Sequence, residues 1–272
     1  MCAALVVVPL LFLNVFSTPG RRTGSIRLKL RGRGGSGRHL PVPRMAGTPS
    51  PAQPVKLPPL TGAKISTIRA RICGKEPVFL TDDSGSMYPM TSGDATGIRY
   101  AAAQSLVNLM RSAGGGKFHV IHWGSGVPDA LVFGSVNVKD RKAAKHALSI
   151  PPTLGGNNLP LALRKAYDIT RPRHDDDRFV YLVVSDGIEA VTDETRRAVD
   201  ALPRDSVHMV LVDRGSGCSP QMEADWHTAG FASVTRLNTF NTRQMAHQLG
   251  EIYAKSIGLV LPKPTSDTTT ER

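Results

Sequence analysis

The stretch EPVFLTDDSGSMYPM, residues 76–90, decides how the chain is read. Its core, PVFLT at 77–81, is a short apolar run of the residues that strand interiors prefer. Asp82, Asp83, Ser84 and Ser86 follow at once, with Gly85 between the serines to permit a tight turn. Acids and hydroxyls at the end of a buried strand must be solvated, cap a helix, or hold something.

Outward from that stretch, the pattern repeats. Further strand candidates are FHVIHW (118–123), ALVFG (130–134), RFVYLVVS (178–185), SVHMVLV (206–212) and ASVTRLN (232–238). FVYLVV and HMVLV are nearly continuous apolar runs, as strands buried on both faces of a parallel sheet must be. Helical segments lie between them, at 97–113, 140–150, 158–170, 192–202, 219–230 and 242–257. The first places Ala101, Leu106, Leu109 and Met110 near one stripe. Thr192 before an acidic first turn marks a helix start, and Gly230 marks a helix end. Alternation over residues 65–261 predicts an α/β fold: a doubly wound, mostly parallel central sheet with helices on both faces. In such sheets ligands bind beyond the carboxyl ends of the strands.

Asp82 stands at that edge. Asp82, Ser84 and Ser86 form a D-x-S-x-S pattern, whose spacing of two aims three oxygens at one point. A carboxylate with two hydroxyls is a hard, all-oxygen set, suited to Mg²⁺, Mn²⁺ or Ca²⁺ and unsuited to zinc or copper. Mg²⁺ wants six oxygens, so other strand ends must contribute. YLVVSDG (181–187) delivers Asp186 to the same edge, and the Gly-rich loop TLGGNNLP (153–160) offers the side-chain carbonyl of Asn157. Each residue has a plainer reading. Asp82 and the serines are also capping residues, Asp186 is also a turn acid, and Asn157 or Asn158 is also a helix N-cap.

Together these motifs resemble the von Willebrand factor type A domain over about residues 74–260. That family carries a metal-ion-dependent adhesion site built from D-x-S-x-S, a Thr in a G-G-T loop and the Asp of a later S-D-G turn. Here they stand as Asp82-Asp83-Ser84-Gly85-Ser86, Gly155-Gly156-Asn157 and Ser185-Asp186-Gly187, with Asn157 where the family has Thr. The resemblance implies a Rossmann-like fold and Mg²⁺ at the site. It also implies a binding module that is not an enzyme, acting as an adaptor or scaffold. An acidic side chain of a protein partner would complete the metal, and an AAA+ ATPase is a partner of the kind such modules serve. By alternation, Asp83 is expected to point away and be solvated.

The residues also bear on two other function classes. A metal-dependent phosphoryl-transfer or hydrolytic enzyme would use Asp82 as nucleophile, but Ser84 stands where the second acid of such a site belongs, and neither a G-x-S-x-G elbow nor a P-loop is present. Nucleic-acid or lipid binding would use the basic RGRGGSGR segment (31–38), which lacks aromatics for base stacking. Nucleic acid is therefore not the expected partner.

The formal charge of +12 is concentrated at one end. Residues 1–44 hold eight Lys and Arg and no acid, which leaves +4 for residues 45–272. The three cysteines form no C-x-x-C pair, so neither a disulfide framework nor a zinc site is expected. Residues 1–16 are a short hydrophobic segment with three readings: a membrane anchor, a signal peptide, or sequence upstream of a start at Met45. With Arg21 and Arg22 after it, an anchor would leave the rest on the cytoplasmic side. Residues 17–62 read as a disordered basic, Pro- and Gly-rich linker, 63–261 as the domain and 262–272 as a disordered tail. His119, His122 and His208 are expected as packing or edge residues, Trp123 and Trp226 as core or rim, and the acidic run HDDDR (174–178) as a solvated loop.

Overall fold

A computed structural model describes residues 50–88, 94, 96–171, 177–212, 219–237 and 241–263. The hydrophobic segment at 1–16, the linker up to residue 49, nearly all of the tail and most of the HDDDR run lie outside the described residues. No helix among the described residues is long and apolar enough to cross a membrane.

The PVFLT run becomes β1 (Glu76–Asp82), buried along its whole length. Its side chains alternate: Val78 and Leu80 enter one hydrophobic core and Phe79 the other. Such a strand must have helices on both sides, and it does. The strands β2 (Lys117–Trp123), β3 (Val132–Asn137), β4 (Phe179–Ser185), β5 (Val207–Val212) and β6 (Ser233–Leu237) join it in the order β3-β2-β1-β4-β5-β6. All pairings are parallel except that of the edge strand β3, which runs antiparallel to β2. The expected mostly parallel, doubly wound sheet is therefore the fold. β3 is antiparallel because only a short connection with a 3₁₀ turn at Asp129–Leu131 links it to β2, too short for a crossover helix.

One core packs under α2 (Ile98–Ser112), α3 (Arg141–Ala147) and α7 (Thr242–Ser256), through Leu106, Met110, Ala144, Met245, Leu249 and Tyr253. The other packs under α4 (Leu159–Thr170), α5 (Asp193–Asp200) and α6 (Pro220–His227), through Leu163, Ala166, Val199 and Trp226. Side-chain caps start five of these helices: Asp140, Asn158, Thr192, Ser219 and Asn241, with Thr192 and Thr195 forming a reciprocal box. The helix expected to run to Gly230 stops at His227, and Gly230 takes a left-handed φ of 95° in the turn beyond it.

One helix has no counterpart among the sequence expectations, and one expectation fails. The stretch ISTIRARICG carries no regular apolar stripe, yet it forms α1 (Ile65–Gly74). Ile72 is buried, and Arg71 donates to the carbonyls of Ile257 and Gly258, groups left open at the C-terminal end of α7. The expectation that fails is the linker boundary at residue 62. Residues 50–62 form an extended strap whose Leu57 and Leu60 are buried in the core. Val55 donates its N–H to Ser105 Oγ, and Thr61 pairs with Val260. The prolines explain how so polar a stretch can dock: they hold the backbone extended and remove donors that would need partners. Gly250 on α7 leaves room for the anchors, since a Cβ there would lie 2.8 Å from Leu261 Cδ2 and 3.2 Å from Leu57 Cδ1.

Topology positions the site. From β1 the chain moves to β2 on one side, then returns past β1 to β4 on the other. The carboxyl ends of β1 and β4 thus flank the crevice where strand order reverses, the place where open α/β sheets bind ligands.

Candidate functional site

Asp82 is the last residue of β1 and is fully buried. Its carboxylate accepts from Ser84 N–H at 2.9 Å and from Ser185 Oγ at 2.6 Å, so the ends of β1 and β4 are tied through one side chain. The loop then makes a single 3₁₀ turn, Gly85–Met87, which brings Ser84 Oγ and Ser86 Oγ to 2.9 Å. The Gly-rich loop is stitched to it. Gly85 N–H donates to Gly155 O at 2.6 Å, and Leu154 N–H donates to Asp83 O at 2.8 Å. Gly155 has a φ of 83°, a conformation that a side chain would strain.

Asp186 follows β4 and is 4% exposed. Its Oδ1 accepts from Ile188 N–H at 3.2 Å. The turn is held from behind by Trp226, whose Nε1 donates to Gly187 O at 3.1 Å. Asn158, and not Asn157, is the N-cap of α4, accepting from Leu161 N–H at 3.1 Å. Asn157 is thereby released from capping duty. Its Oδ1 and the Oδ2 of Asp186 are buried and have no hydrogen-bond partner. An unsatisfied buried oxygen typically costs ~1–3 kcal/mol, so each calls for a partner that the described residues do not supply.

The electrostatics agree. Burial, reinforced by the nearby Asp186 carboxylate, pushes the Asp82 carboxyl up to about 7, against the hydrogen bonds from Ser185 and Ser84. Burial also pushes Asp186 up, with the hydrogen-bonded Ser86 hydroxyl pulling the other way. Two buried carboxylates whose proton affinity is raised, one of them by the other, form a site a cation would relax. Among the described residues no three His, Cys, Asp or Glu side chains gather for a metal. A cation here would rest on two carboxylates with hydroxyl and amide oxygens, the hard donor set that fits Mg²⁺ and not zinc.

Asp83 is where the sequence reading errs. It is fully buried, not solvated. Its carboxylate takes the Arg99 guanidinium at 2.7 Å, His122 Nδ1 at 2.9 Å and the Tyr100 hydroxyl. Arg99 in turn pairs with Asp94 at 2.5 Å. Alternation does turn Asp83 away from the crevice, but that face of the sheet lies under the first turn of α2, so turning away does not mean reaching water. This network was missed because nothing in the local pattern shows that Arg99 and Tyr100 sit over the strand end. In the sequence Ser185 is part of a turn motif, and its bond to Asp82 has no signal beyond the S-D-G spacing. His122 and His119 are packing residues as expected, yet both are hydrogen-bonded: His122 to Asp83 and the Ala147 carbonyl, His119 to Glu76 at 2.7 Å. Trp123 and Trp226 are both core.

No protein-family profile and no curated protein sequence matches the chain. Solved structures do. A von Willebrand factor type A protein from Catenulispora acidiphila is 21% identical with a TM-score of 0.50, over 68% of this chain and 43% of that one. The pilus adhesin SpaC from Lactobacillus rhamnosus GG, in its open conformation, is 13% identical with a TM-score of 0.52, over 66% of this chain and 30% of that one. Proximal thread matrix protein 1 from the mussel byssus is 14% identical with a TM-score of 0.50, over 65% of this chain and 47% of that one. The chain thus spans less than half the length of each of these proteins. At such identities the likeness is one of fold.

Proposed function

Starting from a von Willebrand factor type A fold with two raised carboxylates at its switch point, we propose that this chain is a divalent-metal-dependent protein-binding module. Asp82, Ser84, Ser86, Asp186 and Asn157 would hold the ion, with Mg²⁺ the expected occupant and Mn²⁺ or Ca²⁺ able to replace it. The observation that carries the reading is the closeness of two buried carboxylates, Asp82 and Asp186, with a buried oxygen left unpartnered on Asp186 (Oδ2) and another on Asn157 (Oδ1) in the Gly-rich loop. When bound, the ion supplies positive charge that attracts an anionic ligand from outside.

The chain's own residues do the rest. Ser185 and Ser84 hold the Asp82 carboxylate in place. Trp226 fixes the turn that carries Asp186. Asp83, turned to Arg99, keeps its charge out of the crevice, so an acidic side chain of a partner meets less repulsion. Ile188, 39% exposed and two residues after Asp186, adds apolar contact at the rim. That one structural neighbour is a pilus adhesin supports a binding role over a catalytic one. We read the site as one that binds without turnover.

The test is a titration of the full chain with Mg²⁺ and Mn²⁺ by calorimetry, paired with capture of partners from native lysate in the presence and absence of chelator. Saturable metal binding that Asp82→Ala abolishes, and capture that chelator releases, are the expected results. Metal binding unchanged in Asp82→Ala would overturn the site. Capture indifferent to chelator would overturn its use in partner binding.

A further inference from the structure

A groove of about 1050 Å³ opens between α2, the strap at 51–54 and the segment running from α3 to Ile150. Its walls are mainly apolar, with Pro51, Pro54, Ala101, Leu148 and Ile150 among them. Ile150 is 44% exposed and leans over Gly97, where a Cβ would lie 2.4 Å from its Cδ1.

Toward the C-terminal end of α2 the character changes. Arg111, Arg141 and Lys145 line the groove there. Arg141 and Lys145 are one turn apart on α3 and so share a face. Arg111 is held by the Val138 carbonyl at 2.6 Å and by Asn108 Oδ1 at 2.5 Å, both neutral acceptors. Burial and the neighbouring Arg141 guanidinium push the Arg111 pKa down, the mark of like charges set close together. No acidic side chain lines the groove, and none of the three cations has an ion pair among the described residues. Asp140 caps α3 through Ala143 N–H and is not part of the lining.

We propose that this groove binds a small soluble amphiphilic organic phosphate, its phosphate on Arg111, Arg141 and Lys145 and its apolar body along Pro54, Ala101 and Leu148. Three cations with no counter-charge match a dianion better than a single carboxylate, and guanidinium groups suit phosphate oxygens. The apolar walls exceed what a bare anion needs. The volume, about 1050 Å³, is at the upper end for a small-molecule site, and the strap forms one wall of the groove. The inference is independent of the metal site.

The probe is octyl phosphate below its micelle concentration, titrated into the full chain by calorimetry, with octanol, inorganic phosphate, a hexaglutamate peptide and phosphatidic acid vesicles as comparisons. Octyl phosphate is expected to bind at least tenfold more tightly than octanol, inorganic phosphate or the peptide, and equally with and without chelator. The double variant Arg141→Gln/Lys145→Gln, which alters exposed side chains, should weaken it at least tenfold. Gln104→Trp, which fills the groove and leaves its charge intact, should do the same. Both variants should keep the wild-type unfolding temperature. The proposal is overturned if inorganic phosphate or hexaglutamate binds as well, if only vesicles bind, if chelator removes binding, or if neither variant weakens it.

Discussion

Replacing Arg99 by Met should destabilise this protein more than most single changes at its surface or core. Arg99 is fully buried and its guanidinium is shared between Asp83 at 2.7 Å and Asp94 at 2.5 Å, with its Cζ 4.5 Å from the centre of the Tyr100 ring. Met fills much of the volume, so the loss is chiefly electrostatic: two buried carboxylates lose their cation at once. Breaking a buried ion pair from one side typically costs ~3–5 kcal/mol. A domain of this kind has about 5–15 kcal/mol in total, so the variant should fold but with little margin. Urea unfolding followed by circular dichroism reads the effect directly. With a slope of about 2 kcal/mol per molar, the midpoint should fall by roughly 1.5–2.5 M. Adding Asp83→Asn and Asp94→Asn to Arg99→Met should restore part of the loss, since it removes the stranded charges. The reasoning is refuted if Arg99→Met costs less than about 1 kcal/mol, or if the two Asn changes deepen the loss.

Three further outcomes are expected. Ser185→Ala removes the donor to Asp82 Oδ2; it should cost ~1–2 kcal/mol by urea unfolding and weaken Mg²⁺ binding by calorimetry. Gly250→Ala sets a methyl group 2.8 Å from Leu261 Cδ2 and 3.2 Å from Leu57 Cδ1; the strap should loosen, costing ~1–3 kcal/mol and exposing residues 50–60 to limited proteolysis. Burial, helped by the Lys75 charge, pushes His208 down from 6.5 to about 4. The unfolded chain therefore takes up the proton first, and stability is lost as pH falls from 6.5 to 4. For a partly exposed group the loss is about 2 kcal/mol, and unfolding midpoints measured across that range should flatten in His208→Gln.

The strands were legible in the sequence because a parallel sheet covered on both sides demands near-continuous apolar runs, and FVYLVV and HMVLV have them. The candidate site residues could be picked out for a different reason. Asp82 ends β1, and Ser84, Ser86, Asp186 and Asn157 lie in loops just after strands or before a helix, positions that can be read locally. What could not be read was anything set by a partner distant in the chain. The strap at 50–62 looks like linker by composition, because its partners are distant in the chain: Leu57 lies against Gly250 and Thr61 pairs with Val260. The helix α1 has no stripe of its own, since its main contacts are one buried Ile72 and the cap that Arg71 places on α7.

Asp82 and Asp83 show where the division falls. By itself the chain determined that a strand ends there, that alternate oxygens are presented beyond it, and that a second carboxylate waits after β4. Those are consequences of period and order, which neighbours in sequence decide. Whether an acid faces water, a guanidinium or another acid depends on what packs over it. Only the tertiary structure buried Asp83 under α2 with Arg99, freed Asn157 by giving the α4 cap to Asn158, and brought Asp186 near enough to raise Asp82. Charge acts through space and burial sums over the whole fold, so neither can be read along one strand.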